Sequence, residues 1–252
     1  MPEDPLRALP PSDMTTNDAP TKDADRWQYP TLAKPESDGF YCYHIQRRVS
    51  AWFSVRLAGR MGANAATGLD LIFGVAAAGL VLFDHWLWGV VMIQLFGIFS
   101  CVDGEIARIQ GRSSRIGDFL DTLTDRSTEM LVVGAIAFSL RDRVEDSASA
   151  LTAGFALLGG VFMLTTSSEK FRSAWQTGYP KRRLEKLFSL FCAASDTRLL
   201  MLSIGLVVSD LTKDGSFLLW LLWALAAAAY VNFLVRIGLV YRHFGSGNPP
   251  ES

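Results

Sequence analysis

Charge is scarce in this 252-residue chain. Asp, Glu, Lys and Arg make up 19% of it and the formal net charge is -1, whereas a soluble globular domain carries about 25% charged residues. A balance so close to zero gives no footing for bulk nucleic-acid binding. Cysteine is scarcer still. Cys42, Cys101 and Cys192 are the three, with no CxxC pair, which excludes a disulfide scaffold and a thiolate zinc cluster. His44, His85 and His243 stand alone and no HExxH occurs, so zinc hydrolysis is poorly supported. The first 60 residues hold no leading apolar run of signal-peptide type, so a secreted soluble protein is not expected. No internal repeat is visible. What is abundant points elsewhere: 50% of residues are hydrophobic, with 16 Phe, 7 Trp and 21 Gly. That content excludes disorder throughout and leans toward a membrane protein.

The expected fold class is all-α: a polytopic membrane protein of six transmembrane helices behind an N-terminal cytoplasmic amphipathic interfacial helix. Residues 1–34 are Pro-rich without apolar periodicity and read as a disordered tail. A short helix docked on the domain is the other reading. Residues 35–62 read as a juxtamembrane segment. In it Val49, Trp52, Phe53 and Leu57 occupy one side of a helix, and Arg47, Arg48, Arg56 and Arg60 much of the other. Such a helix lies well in an anionic membrane interface. Residues 63–243 hold six apolar segments, at about 67–83, 86–107, 118–140, 148–168, 197–209 and 217–240. Several reach the ~20 residues a spanning helix needs, and the fifth is expected to begin near Phe191. Between the fourth and fifth lies a basic extension with a turn at Gly178-Tyr179-Pro180. Residues 244–252 form a C-terminal tail.

Lys and Arg are distributed unevenly among the loops. One set holds Arg108, Arg112, Arg115, Lys170, Arg172, Lys181, Arg182, Arg183 and Lys186; the other holds Asp84, Asp142, Glu145, Asp146, Asp210 and Asp214 among fewer bases. The positive-inside rule puts the first set, and both termini, in the cytoplasm, with the protein in the cytoplasmic (inner) membrane.

The chemistry gathers between the second and third apolar segments. Ser100, Asp103, Gly104 and Ala107 fall on one helical stripe, and Asp118, Asp121 and Asp125 on another. Gly104 and Gly117 remove bulk beside these acids. Like charges this close stay ionised only beside a cation, and hard divalent ions take oxygen ligands together with substrate phosphates. Asp103, Asp121 and Asp125 are therefore candidates for catalysis and for metal binding, with Asp118 and Ser100 as further metal-binding candidates. Acids paired structurally with Arg108 or Arg126 are the plainer alternative. A proton-coupled transporter is another, although it would more often show broken helices and inverted repeats. Glu105 points off the stripe and is expected at a pocket edge or in solvent. The cysteines are expected as small apolar fillers.

This stretch resembles the signature of the CDP-alcohol phosphatidyltransferase family, Asp-x-x-Asp-Gly-x-x-Ala-Arg, eight residues, Gly-x-x-x-Asp-x-x-x-Asp. The matching residues are Asp103, Gly104, Ala107, Arg108, Gly117, Asp121 and Asp125, while the family's first Asp falls on Ser100. Asn64 and Thr67 match a Pro-Asn-x-x-Thr entry to the first span, with Ala63 in place of Pro. The resemblance implies displacement of CMP from a CDP-linked alcohol by the hydroxyl of a second alcohol, with Mg²⁺ or Mn²⁺ as cofactor. It implies Asp125 as base, Asp103 and Asp121 on metal, and Gly104, Ala107, Arg108, Gly117, Asn64 and Thr67 around the nucleotide. The expected partners are CDP-diacylglycerol, a polar acceptor such as inositol phosphate or glycerol phosphate, anionic membrane lipids and a second copy in a homodimer, with no nucleic acid. A soluble CDP-alcohol acting on a lipid hydroxyl, and an impaired homologue that only binds lipid, stay open as alternatives.

Overall fold

The structure is a computed structural model, and it describes residues 29–33, 38–191 and 194–244. Every described element is helical. A single turn, α1 (Tyr29–Leu32), precedes a π-helical turn at Cys42–Gln46 that runs into α2 (Arg47–Leu57). The long helices α3 (Ala63–Leu82), α4 (Trp86–Ile109), α5 (Arg115–Leu140) and α6 (Ser147–Trp175) follow. Two short helices, α7 (Lys181–Leu184) and α8 (Lys186–Phe191), lead to α9 (Ser195–Thr212) and α10 (Ser216–Phe244).

Among the described residues four helices are long and apolar enough to cross a membrane: α3, α4, α6 and α10. The expectation of six is thereby corrected. The two that drop out are helical, but charge interrupts them. Helix α5 carries Arg115, Asp118, Asp121, Asp125, Arg126 and Glu129, and α9 has 18 residues that include Asp196, Arg198 and Asp210. An ionised side chain is costly in hydrocarbon, and such residues face the interior of a bundle. The fifth apolar segment also starts later than expected, at Ser195 instead of near Phe191. The basic extension and its turn are found, with Gln176 in the left-handed region as α6 ends.

The core holds the bundle through small residues and aliphatics. Val81, Trp86, Ile93, Phe96, Val132, Ile136, Leu157, Leu202, Leu206 and Leu222 form its largest cluster. Gly74 of α3 lies so close to Thr128 of α5 that a Cβ there would collide with that side chain, the small-residue contact by which buried helices approach. Phe155, Phe162, Trp220 and Leu234 are exposed on the outer surface, as a lipid-facing surface requires. At one end of the bundle Arg143 pairs with Asp84 at 3.2 Å and with Asp210 at 3.6 Å, while Trp86 Nε1 donates to Ser139 Oγ at 2.9 Å.

Helix α2 is amphipathic in an unexpected sense. Its inward face is polar: Arg47, Ser50 and Ser54 are buried and all donate to Glu105 of α4 at 2.7–2.9 Å. Arg47 also grips Asp38 through two contacts of 2.9 Å. The outward face carries exposed Ile45, Val49 and Trp52, with the Arg56 guanidinium 3.8 Å from the Trp52 ring centroid. Phe53 and Leu57 pack inward on Ala66, Phe99, Val102 and Ile106. Glu105 is fully buried, which corrects its expected place at a pocket edge or in solvent. The disordered tail expected over residues 1–34 falls outside the described residues for 1–28 and 34. Its far end is ordered: Leu32 is buried, and its carbonyl accepts from Arg108 Nη2 at 3.0 Å.

Candidate active site

Helices α4 and α5 bring their acids together at the end of the bundle opposite Asp84. Helix α5 starts where it does because Ser114 Oγ accepts the Gly117 N–H at 3.1 Å, an N-cap that satisfies one of the free amides of the first turn. From that start Asp121 and Asp125 are one turn apart on the face toward α4. Together with Ser100, Asp103, Gly104 and Arg108 of α4 they line a cavity of ≈ 190 Å³, closed on its far side by Lys181, Ser195 and Asp196.

Two of the carboxylates are held by hydroxyls. Thr67 Oγ1 donates to Asp103 Oδ2 at 2.7 Å, and Ser100 Oγ donates to Asp125 Oδ1 at 2.8 Å. Thr67 thus touches the site through Asp103, while Asn64 is exposed at the start of α3. Gly117 serves the cap of α5, and neither it nor Ala107, Asn64 or Thr67 lines the cavity. Asp118 does not reach the cavity either. It is exposed and pairs with Arg172 of α6 at 2.7 Å.

Several residues the sequence did not single out belong to the neighbourhood. Asp196 accepts from the Cys42 backbone N–H at 2.6 Å, and its burial pushes its carboxyl above the usual range, with that hydrogen bond opposing. Cys42 and Cys101 are buried with their sulfurs 3.4 Å apart, and both line the cavity. Beside Lys181 and Ser195 a smaller pocket opens, lined also by Arg126, Arg198 and Ser168. Glu129 bridges the two arginines, at 2.6 Å to Arg198 and 3.2 Å to Arg126. Burial pushes Lys181 down to about 8, and Arg236, Arg126 and Arg198 push in the same direction. The site thus has an acidic wall on α4 and α5 and a basic wall at the start of α7 and α9.

Among the described residues, no three of His, Cys, Asp and Glu stand close enough to hold a metal ion as arranged. The donor set is nevertheless of the hard-oxygen kind that Mg²⁺ and Mn²⁺ take. A further buried carboxylate, Asp70 of α3, has no hydrogen-bond partner on either oxygen and feels the charges of Asp125, Asp103 and Asp121. Such a group of carboxylates calls for a cation. The carboxylate oxygens of Asp103 and Asp121 are of the kind a divalent ion takes.

Known proteins place this arrangement. Residues 60–235 match the family described as CDP-alcohol phosphatidyltransferase. The chain is 32% identical over 154 residues to the bifunctional IPC transferase and DIPP synthase of Thermococcus kodakarensis, covering 61% of this chain and 34% of that protein. It therefore spans about a third of the length of that curated relative. In fold it is similar to Mycobacterium tuberculosis phosphatidylinositol phosphate synthase with CDP-DAG bound. The TM-score is 0.64 at 19% identity, over 81% of this chain and all of the other. A second structure of that synthase, in complex with manganese and citrate, gives a TM-score of 0.60 at 20% identity over 82% and 94% of the two chains. The match covers the helices that carry Asp103, Asp121 and Asp125, and with it this chain belongs to the CDP-alcohol phosphatidyltransferase family.

Proposed function

We propose that this protein transfers a substituted phosphoryl group from a CDP-linked alcohol, CDP-diacylglycerol, to the hydroxyl of a polar acceptor, releasing CMP. The observation that carries this reading is the convergence of Asp103, Asp121 and Asp125 with Gly104 and Arg108 on one cavity. In the reaction the acceptor oxygen bonds to the phosphorus that bears the diacylglycerol. The bond from that phosphorus to the bridging oxygen breaks, and CMP departs with the bonding pair. Asp125 takes the acceptor proton, held in orientation by the Ser100 hydroxyl. Asp103 and Asp121 would hold a divalent ion, which when bound supplies charge stabilisation for the diphosphate. Arg108 contributes positive charge to the same wall. The acceptor enters from the basic side, where Lys181 and the Arg126–Arg198 pair favour an anionic alcohol such as a sugar or polyol phosphate.

The cavity lies at the end of the bundle that carries Arg112, Arg115, Lys170 and Arg172, and this end faces the cytoplasm in our reading. The exposed Ile45, Val49 and Trp52 of α2, flanked by Arg48 and Arg56, rest in the headgroup layer, where anionic lipids meet the arginines. Purified protein assayed for metal-dependent CMP release from CDP-diacylglycerol, across a panel of alcohols and alcohol phosphates, tests the function. Release stimulated by a phosphorylated acceptor is expected. No release with any CDP-alcohol would reject the reading.

A further inference from the structure

Asp70 has no part in the reaction as described, yet both of its carboxylate oxygens are buried without a hydrogen-bond partner. It is 1% exposed on α3, and neither carboxylate oxygen meets a hydrogen-bond donor. Its position is fixed along one stripe of that helix. Thr67, three residues before it, donates to Asp103 of α4. Gly74, four residues after it, abuts Thr128 of α5, which is three residues beyond Asp125. Asp70 is thus clamped between α4 and α5, and the strongest charges acting on it are those of Asp125, Asp103 and Asp121, all negative.

A buried carboxylate persists by pairing with a basic side chain, by holding its proton, or by binding a cation. The strongest charges around it include no base. A protonated carboxyl would still need a partner for its hydroxyl and for its carbonyl oxygen, and neither oxygen has one. A cation remains.

Ser100 makes the same point from the other side. It stands where the family signature carries an acid, and its hydroxyl cannot balance a dication. It lies one turn from Asp103 on α4 and donates to Asp125, while Asp70 lies one turn from Thr67 on α3, the residue that donates to Asp103. We propose that Asp70 is a ligand of the site's divalent ion, supplying from α3 the carboxylate that Ser100 does not supply from α4. The assignment rests on the proposed function only in taking the ion to belong to that site.

Mn²⁺ binding to the full chain in detergent, read by the electron paramagnetic resonance of free Mn²⁺ without any nucleotide, tests it directly. Asp70→Asn should weaken binding by more than the ~10- to 100-fold typical of changes behind a ligand. Adding Ser100→Asp to Asp70→Asn should restore it. Metal-free melting of Asp70→Asn should not fall below that of the parent, because the amide removes a like charge; Asp70→Ser serves as the second variant if it does. Parental Mn²⁺ affinity in both Asp70 variants, or no Mn²⁺ binding by the parent, would overturn the assignment. Weakened binding that Ser100→Asp fails to restore would overturn the exchange of position. Mn²⁺ binding that depends on Asp70, in a protein releasing no CMP, would instead sink the proposed function and leave the ligand in place.

Discussion

Lys181 stands among three arginines, and that company sets its proton affinity. With its ammonium pushed down to about 8 by burial and by Arg236, Arg126 and Arg198, and only Asp196 opposing, it is charged below that pH and neutral above it. An anionic acceptor should therefore bind less well as pH rises through about 8. Its KM, measured from pH 6.5 to 9.5, should climb on the alkaline side, and Lys181→Arg, which keeps its charge, should flatten that limb. Asp125→Asn should lower turnover by about 10²- to 10⁴-fold, the range for losing a general base. Ser100→Ala, which removes one hydrogen bond to Asp125, should cost roughly tenfold at most. Steady-state CMP release measures both. Asp103, Asp121 and Asp125 were legible in the sequence because helical spacing alone puts them on facing stripes. Asp70 carried a fainter signal, a single acid within an apolar helix, one turn from Thr67. Lys181 looked like one of many bases, and only folding shows which of them turns inward.

Helix α2 illustrates what periodicity can and cannot tell. The pattern of arginines and aromatics correctly marks an amphipathic helix, but it does not say which face is covered. Because Glu105 comes from α4, Arg47, Ser50 and Ser54 turn in beside Phe53 and Leu57, so Arg47 becomes a buried partner while Arg48, Arg56 and Arg60 stay exposed. Removing one member of such a pair leaves the other charge uncompensated, at a cost of about 3–5 kcal/mol. Arg47→Met should accordingly unfold well below the parent in a thermal melt in detergent. Arg48→Met, on the exposed face, should melt within about 0.5 kcal/mol of the parent. Helix ends were legible within a few residues for α3, α4 and α10, where apolar runs are long, while α6 runs on past the expected 168 to Trp175. For α5 and α9 the sequence showed the helices but overstated their apolar character, since their charges are met by neighbours: Glu129 by Arg198 and Arg126, Asp210 by Arg143.

The molecule has two unlike ends. Asp84, Arg143 and Asp210 close one of them, and the acidic cavity with its basic wall opens at the other. Single cysteines introduced at positions 84 and 213 should react with an impermeant maleimide from outside the cell, and one at position 112 only after permeabilisation. Labelling of position 112 from outside would reverse the orientation. The division of loops into these two sets was readable from the sequence, because charge asymmetry survives without knowledge of packing. The basic wall was not, because Arg126 and Arg198 lie far apart in the chain and meet only through Glu129.

At the base of α10, Arg236 is 2% exposed and is met at 2.7 Å by both oxygens of Glu185, while Leu164, Ser167 and Ser168 take its remaining donors. Seen from the ribosome, this is an order of events. Glu185 emerges first and waits without a counterion until the last helix has been made. A chain that stops before residue 236 leaves Glu185 without the guanidinium that meets both of its oxygens.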